Sequence, residues 1–266
     1  MSEQFIRCKS ALSSSGLPGL MYSLNPYMGC GHGCLYCYSP SIIGDSDLAR
    51  NWGKIVKVKE NIAEVLKEEV KIKKRGTVGV STVTDPYQPV EAKMGLTRKC
   101  IEILLGAEFP VSIQTKSNLV LRDADIISSG KFDVGVTITT MDPLVARIIE
   151  PGASPPDARA QVLEEFSSRG IETWLFFGPI VPNMNDSKES IESVIKVAAR
   201  SGSLVIYDRL NMKRWVMERL GPKLDEHFGG SERMMELLRD SSYWKDVLRE
   251  VRRTCDKWGV RCEPAF

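Results

Sequence analysis

The sequence predicts an α/β fold, a TIM-like barrel, partial or full, followed by a C-terminal helical extension. Three observations carry this. Short runs rich in β-branched and aromatic residues alternate with amphipathic helical patterns. Several runs, such as VSIQT and LFFGPI, are densely apolar, as strands covered on both faces are. After about Asn211 the alternation stops and the pattern turns helical throughout.

In chain order, the first strand is expected near Met21–Asn25, followed by runs at Thr77–Val83, Pro110–Thr115, Asp133–Thr139, Thr173–Ile180 and Leu204–Arg209. Between them Glu60–Lys73 is charged and amphipathic, and Thr97–Leu105 sets Ile101, Leu104 and Leu105 on one face. Asp157–Ser168 does the same with Val162, Leu163 and Phe166. Lys188–Arg200 places Ile191, Val194, Ile195 and Ala198 at i, i+3, i+4 and i+7. Asp186 and Glu189 suggest a capping box at its start, and Gly202 a stop. Strands alternating with helices of this length read as βαβ units on a parallel sheet. Six units fit a barrel better than an open sheet, although periodicity alone does not separate the two; in either, the active site lies at the C-terminal ends of the strands. The chain divides on this reading into an N-terminal segment (1–19), a (β/α)6 core (20–211) and a helical extension (212–266), with Trp244, Val247, Leu248, Val251, Cys255 and Trp258 on one stripe of the last helix.

Composition removes several classes. With 42% hydrophobic and 26% charged residues the chain is not disordered. No apolar run approaches the roughly 18 residues of a membrane helix, and the N-terminus lacks the apolar block of a signal peptide. Net charge is only +2, so no global field attracts a polyanion. The extension holds 12 basic and 10 acidic residues between Met212 and Glu263, which argues against a nucleic-acid arm. Lys54 to Arg75, with eight basic and four acidic residues, reads as a solvated helix face and is the only local stretch able to attract a phosphate backbone. Seven cysteines without a secretory signal point to thiols or metal ligation in a reducing cytoplasm.

The chemistry concentrates in Cys30-Gly-His-Gly-Cys34-Leu-Tyr-Cys37, directly after the first strand. Tight glycine turns let three thiolates approach one centre. A zinc site would need four ligands, and His32 could be the fourth, in a cramped loop. A [4Fe–4S] cluster normally takes four cysteines, so three would leave one iron open to an exogenous ligand, hence to chemistry. Cys100 and Cys255 lie on apolar helix faces and read as core; Cys8 and Cys262 are ambiguous, and a second cluster on Cys255 and Cys262 would have only two, widely spaced ligands. The non-enzymatic alternative is a zinc- or cluster-binding interaction module.

The CxxxCxxC spacing, with Tyr36 before the third cysteine, resembles the signature of the radical S-adenosylmethionine (SAM) superfamily. Over roughly residues 20–210 the finer pattern is similar to its spore photoproduct lyase-related branch: NPYMGCGHGCLYCYSP, STVTDPYQPVE, QTKS, IEPGASPPDAR and PIVPNMND follow in order. The resemblance implies a partial (β/α)6 barrel, in agreement with the six units. It also implies a [4Fe–4S] cluster on Cys30, Cys34 and Cys37 whose open iron is chelated by SAM, and reductive cleavage of SAM to a 5′-deoxyadenosyl radical that abstracts hydrogen from a substrate. A low-potential electron donor of the flavodoxin or ferredoxin type would supply the electron, and a nucleic acid or nucleotide is the preferred substrate class.

The resemblance further implies SAM contacts after each strand. Thr84 and Asp85 would accept from the methionyl amine, and Lys116 in QTKS would pair with the SAM carboxylate. Arg159 suits a carboxylate or ribose contact, and Thr139, with Thr140, a ribose contact. Ile180 and Val181 would edge the adenine, and Tyr36 would touch it through its backbone. Asp85 and Tyr87 are the candidate catalytic residues, Tyr87 as a quencher of a product radical. One departure stands out. The branch implies a hydrogen-donor cysteine near the end of strand two, where this chain has Thr82; the helical tail also shows no counterpart of the branch's DNA-engaging hairpin.

Overall fold

The computed structural model describes residues 1–265. Its strands are β1 (Ser2–Ile6), β2 (Leu12–Ser14), β3 (Tyr22–Leu24), β4 (Tyr27–Met28), β5 (Ile55–Lys59), β6 (Val78–Val80), β7 (Val111–Thr115), β8 (Phe132–Thr137), β9 (Glu172–Ile180), β10 (Leu204–Arg209) and β11 (Cys262–Pro264). Eight form one sheet in the order β11-β10-β9-β8-β7-β6-β3-β2. From β3 to β11 every neighbouring pair is parallel, and only β2 runs antiparallel, against β3. The six expected strands occupy the middle of this sheet in sequence order. It is left open between β2 and β11, which makes it a partial barrel. Helices 62–72, 96–106, 156–168 and 188–201 cover it, and their buried faces interdigitate with Val80, Ile113, Val134, Val136, Leu175 and Val205.

Local chemistry explains the elements. Helix 188–201 shows the 3.6-residue period of its buried Ile191, Val194, Ile195 and Ala198, and Gly202 ends it in the left-handed region (φ 65°). Its cap, however, is Ser187, whose side chain accepts from the Ser190 N–H. The expected Asp186 instead takes the hydroxyl of Tyr243, tying the extension to the barrel. Helix 241–257 presents Trp244, Val247, Val251 and Cys255 as its buried face, as the stripe predicts, while Trp258 at its cap is exposed.

Two sequence readings need correction, and one element is new. The extension is not wholly helical: β11 adds to the sheet edge beside β10. At three residues it is too short to show any periodicity. Residues 55–59 are not part of a helix face but a strand whose alternating IVKVK buries Val56 and Val58, and β1-β5-β4 form a separate small sheet. Helix 143–149, started by the Asp142 cap and Pro143, was not anticipated.

Candidate functional site

The cysteine loop leaves β4, whose partner β5 belongs to the small sheet, and lies across the C-terminal ends of the barrel strands. Its backbone is held on all sides. Gln88, fully buried in the segment after β6, accepts from the Gly31 N–H (2.7 Å) and donates to the Gly29 carbonyl (3.1 Å). Thr84 donates to the same Gly29 carbonyl (2.5 Å) and accepts from Gln88 (2.9 Å). The Gly152 N–H reaches the His32 carbonyl (2.9 Å) and the Leu35 N–H the Ile149 carbonyl (2.9 Å). Gly152 has to be glycine, because a Cβ there would stand 2.4 Å from the Gly31 carbonyl oxygen. From helix 214–227, Arg219 donates to the carbonyls of Cys37 (2.7 Å) and Leu35 (3.4 Å).

Cys30 and Cys34 are buried and Cys37 is half-buried. Burial pushes the Cys34 and Cys37 thiols up in pKa, with Lys116 acting the other way and neighbouring loop cysteines adding to the rise. Thiols so placed stay protonated unless a metal displaces the proton. Among the described residues no three His, Cys, Asp or Glu side chains converge as ligands of one ion. A four-iron cluster spreads its thiolates over different irons and needs no such convergence. The three neighbouring thiols, with the cations of Lys116 and Arg219 nearby, fit an anionic iron–sulfur cluster.

A zinc site would need His32 as its fourth ligand. His32 is buried with Nδ1 3.4 Å from Asp85 Oδ2. Burial alone would lower its pKa, but Asp85 and Cys30 outweigh that and raise it to about 10. A zinc ligand there would have to give up this proton, as the thiols do theirs.

The other expected site residues fall into three groups. Lys116, at the end of β7, is half-buried with Nζ 5.7 Å from the Tyr36 ring centroid, and among the described residues its ammonium has no hydrogen-bonded or salt-bridged partner. Burial would lower its pKa, but Cys34, Glu150, Asp85 and Cys37 raise it, so it is a cation facing the thiols. Ile180 and Val181 are fully buried at the end of β9, and Val181 packs in one apolar cluster with Cys34 and Tyr36.

A second group is engaged internally. Asp85 accepts from the Tyr87 N–H (2.9 Å), Thr115 Oγ1 (2.7 Å) and the Lys116 N–H (2.7 Å), besides its contact with His32. Burial would raise its pKa, yet His32 and these other partners hold it at about 2. A carboxylate has about four accepting positions; three are taken by hydrogen bonds and the His32 contact lies beside them, so Asp85 braces β6, β7 and the cysteine loop. Thr84 likewise holds the loop, through Gly29 and Gln88. Arg159, read as a carboxylate or ribose contact, is 1% exposed, and its guanidinium lies on Glu150 (2.5 Å) and the Thr137 carbonyl (2.9 Å). Glu150 also takes Thr139 Oγ1 (2.9 Å) and the Tyr36 hydroxyl. Tyr36 and Thr139 thus belong to one buried network with Arg159.

Tyr87 is the clearest correction. It is 1% exposed in the main hydrophobic core, on the side of Asp123 and Glu91, and is not available to quench a radical at the strand ends. Residues 81 and 82 follow β6: Ser81 has φ 64° with its buried hydroxyl unpartnered, and the Thr82 N–H donates to Asn25 (3.1 Å). Sequence reasoning missed Gln88, Glu150 and Arg219. The first two lie inside the segments STVTDPYQPVE and IEPGASPPDAR, where a polar residue directly before a proline was the available signal.

Comparison with known proteins agrees with this architecture. The family model described as Radical SAM superfamily matches residues 24–196. An uncharacterized protein of Methanocaldococcus jannaschii is 28% identical over 95% of this chain and 92% of its own length. One of Mycobacterium tuberculosis H37Rv is 30% identical over 93% of this chain and 77% of its own. Among solved structures, a spore photoproduct lyase variant superposes with TM-score 0.75 at 14% identity, covering 99% of this chain and 82% of that one. Another, holding AdoMet and a dinucleoside spore photoproduct, gives 0.70 at 16% identity, covering 98% and 81%. The SuiB protein of Streptococcus suis gives 0.60 at 10%, covering 91% and 49%. Among the described residues no helix is long and apolar enough to cross a membrane. With a family match running from the first barrel strand into helix 188–201 and a cysteine loop laid across the strand ends, the chain belongs to the radical SAM superfamily, as an enzyme that works with a [4Fe–4S] cluster, S-adenosylmethionine and a reductant.

Proposed function

We propose that Cys30, Cys34 and Cys37 hold the cluster, that Lys116 pairs with the carboxylate of SAM, and that the substrate is a nucleic acid or nucleotide. The observation that carries the reading is the Lys116 ammonium, which faces the thiols without an anionic partner of its own. When bound, the cluster and SAM supply a 5′-deoxyadenosyl radical for hydrogen abstraction. The chain's own residues do the rest. Gln88, Thr84 and Asp85 fix the loop that carries the thiols. Ile180 and Val181 form an apolar edge suited to adenine and exclude water. Glu150 and Arg159 hold Tyr36 and Thr139 beneath. Asp85 and Arg159 are on this account positioning residues, and a flavodoxin- or ferredoxin-type protein is the proposed electron donor.

Lys116→Ala is expected to weaken SAM binding by about 1.5–3 kcal/mol, the scale of a charge-assisted hydrogen bond. The cluster absorption should not change. Calorimetry that finds equal SAM affinity would remove Lys116 from the site.

The substrate class rests on likeness to the lyase structure that holds a dinucleoside photoproduct, and that likeness has a limit. Neither Ser81 nor Thr82 offers a thiol, and an O–H bond is far stronger than S–H. Reduced, cluster-loaded protein is therefore expected to form 5′-deoxyadenosine slowly without substrate and to show no efficient repair of spore photoproduct. Chromatography of an oligonucleotide photoproduct incubated with SAM and dithionite decides this. Multiple-turnover conversion to thymines would make the Thr82 departure irrelevant.

A further inference from the structure

Far from the cysteine loop in sequence, the last helix builds a second feature. A cavity of about 430 Å³ opens between it and the end of β10, lined by Arg209, Trp244, Lys245, Leu248, Arg249 and Arg252, with Ser241 at one end. Four of these side chains are cationic and all four are exposed. Lys245, Arg249 and Arg252 stand at i, i+4 and i+7 on one helix face, with rises of about 6 and 4.5 Å along the axis. Arg209 lies 6.0 Å from the Trp244 ring centroid. The Arg252 guanidinium donates to the Tyr207 hydroxyl (3.0 Å), which fixes its stem to β10. Anionic compensation is thin. Asp246 pairs with Arg249 (2.9 Å), and among the described residues Arg209, Lys245 and Arg252 have no salt-bridged carboxylate.

Position matters as much as charge. Arg209 is in register with Ile180, and the next N–H, of Leu210, donates to the Ile180 carbonyl (2.9 Å). Ile180 and Val181 end the neighbouring strand, and Val181 shares its apolar cluster with Cys34 and Tyr36. The cationic track therefore begins at the rim where the substrate would enter, and runs down the outer wall along helix 241–257. The near-balanced charge of the extension as a whole had argued against a polyanion site; folding sorts the cations onto this face.

We propose that this track grips the phosphate backbone of a nucleic-acid strand whose reacting nucleotide enters the barrel mouth. The proposal rests on the nucleic-acid reading of the substrate given above. A phosphodiester strand carries a regular row of negative charges, about 3.4 Å apart along each strand of a duplex, that a ladder of exposed cations neutralises with release of counterions. The apolar floor of Trp244 and Leu248 accepts the sugar edge. A lone inorganic phosphate would engage only one or two of the four cations.

The test is fluorescence anisotropy with a labelled single-stranded oligonucleotide, titrated over a range of salt with the full chain. The triple variant Arg209→Gln/Lys245→Gln/Arg249→Gln is compared with wild type and with a charge-matched control, Lys67→Gln/Lys71→Gln/Lys74→Gln, on the 54–75 stretch. Loss of three phosphate contacts lowers the salt slope by about 2 and weakens binding roughly 100-fold near ~0.1 M salt. The control should bind as wild type does. Equal weakening in the control, or unchanged binding in the track variant, overturns the track while leaving a nucleic-acid substrate in place. Displacement of the oligonucleotide by inorganic phosphate beyond its ionic-strength effect also overturns it, and assigns the cavity to a free anion. No oligonucleotide binding by wild type even at low salt overturns the nucleic-acid form of the substrate reading and the track together, and leaves a free nucleotide.

Discussion

Alanine at Cys30, Cys34 or Cys37 is expected to abolish iron incorporation, while alanine at Cys100 or Cys255 leaves it intact. Anaerobic reconstitution of the wild-type chain with iron and sulfide should give about four irons per chain and broad absorption near ~400 nm, as a [4Fe–4S] centre does. The contrast follows from placement. The three loop thiols lie near one another, with Lys116 and Arg219 close by. Cys100 is fully buried in helix 96–106, where apolar burial pushes its thiol up and no second thiol of the loop approaches. Cys255 does meet another thiol, that of Cys262, but two sulfurs cannot make a cluster site. The effect in the loop is all-or-none, because a cluster with only two protein thiolates is not retained. Stoichiometric zinc with no iron uptake would sink the assignment, as would full iron content in any of the three loop variants.

The cysteine loop was legible because its chemistry is local: three ligands, two glycines and one aromatic within eight residues need no knowledge of the fold. The barrel was legible for a related reason. Runs such as LFFGPI and VSIQT leave no residue exposed, with fully buried positions between half-buried ones, so their strands stand out from the amphipathic helices. What escaped was long-range pairing of polar groups. Arg159 follows Asp157 at the start of a helix and looks like its surface, yet the chain folds so that Tyr36, 114 residues before Glu150, meets the same carboxylate. Asp85 was correctly placed at the strand end but assigned a free carboxylate, because nothing local shows that Lys116, 31 residues on, would supply its backbone N–H. Tyr87 fell on the wrong side for a simpler reason: two residues after Asp85 the chain turns, and alternation no longer tells which way a side chain points.

That hidden network sets the largest expected effect on stability. Glu150 and Arg159 are 2% and 1% exposed and joined by a hydrogen-bonded ion pair. Burial would raise the pKa of Glu150, but Arg159, Lys116 and the Tyr36 hydroxyl outweigh it and keep the carboxyl low. Glu150→Gln preserves shape and some hydrogen bonding but strands the guanidinium as an uncompensated buried charge. Breaking a buried pair from one side costs about 3–5 kcal/mol, and urea unfolding of the metal-free chain should show a loss of that size. Arg159→Met alone should do the same from the other side, leaving the carboxylate unpaired. Glu150→Gln/Arg159→Met removes both charges together, and should lose less than the two single changes added, since the stranded charge is then gone. Additive losses in this cycle, or a single loss below about 1 kcal/mol, would mean the pair is solvated and contributes little. The same variants report on function. Tyr36 sits between Cys34 and Cys37 and hangs from Glu150, so Glu150→Gln should loosen the loop and slow iron incorporation even where the chain remains folded. Unaltered reconstitution kinetics in a folded Glu150→Gln protein would show that the loop is held by Gln88, Thr84 and Arg219 alone.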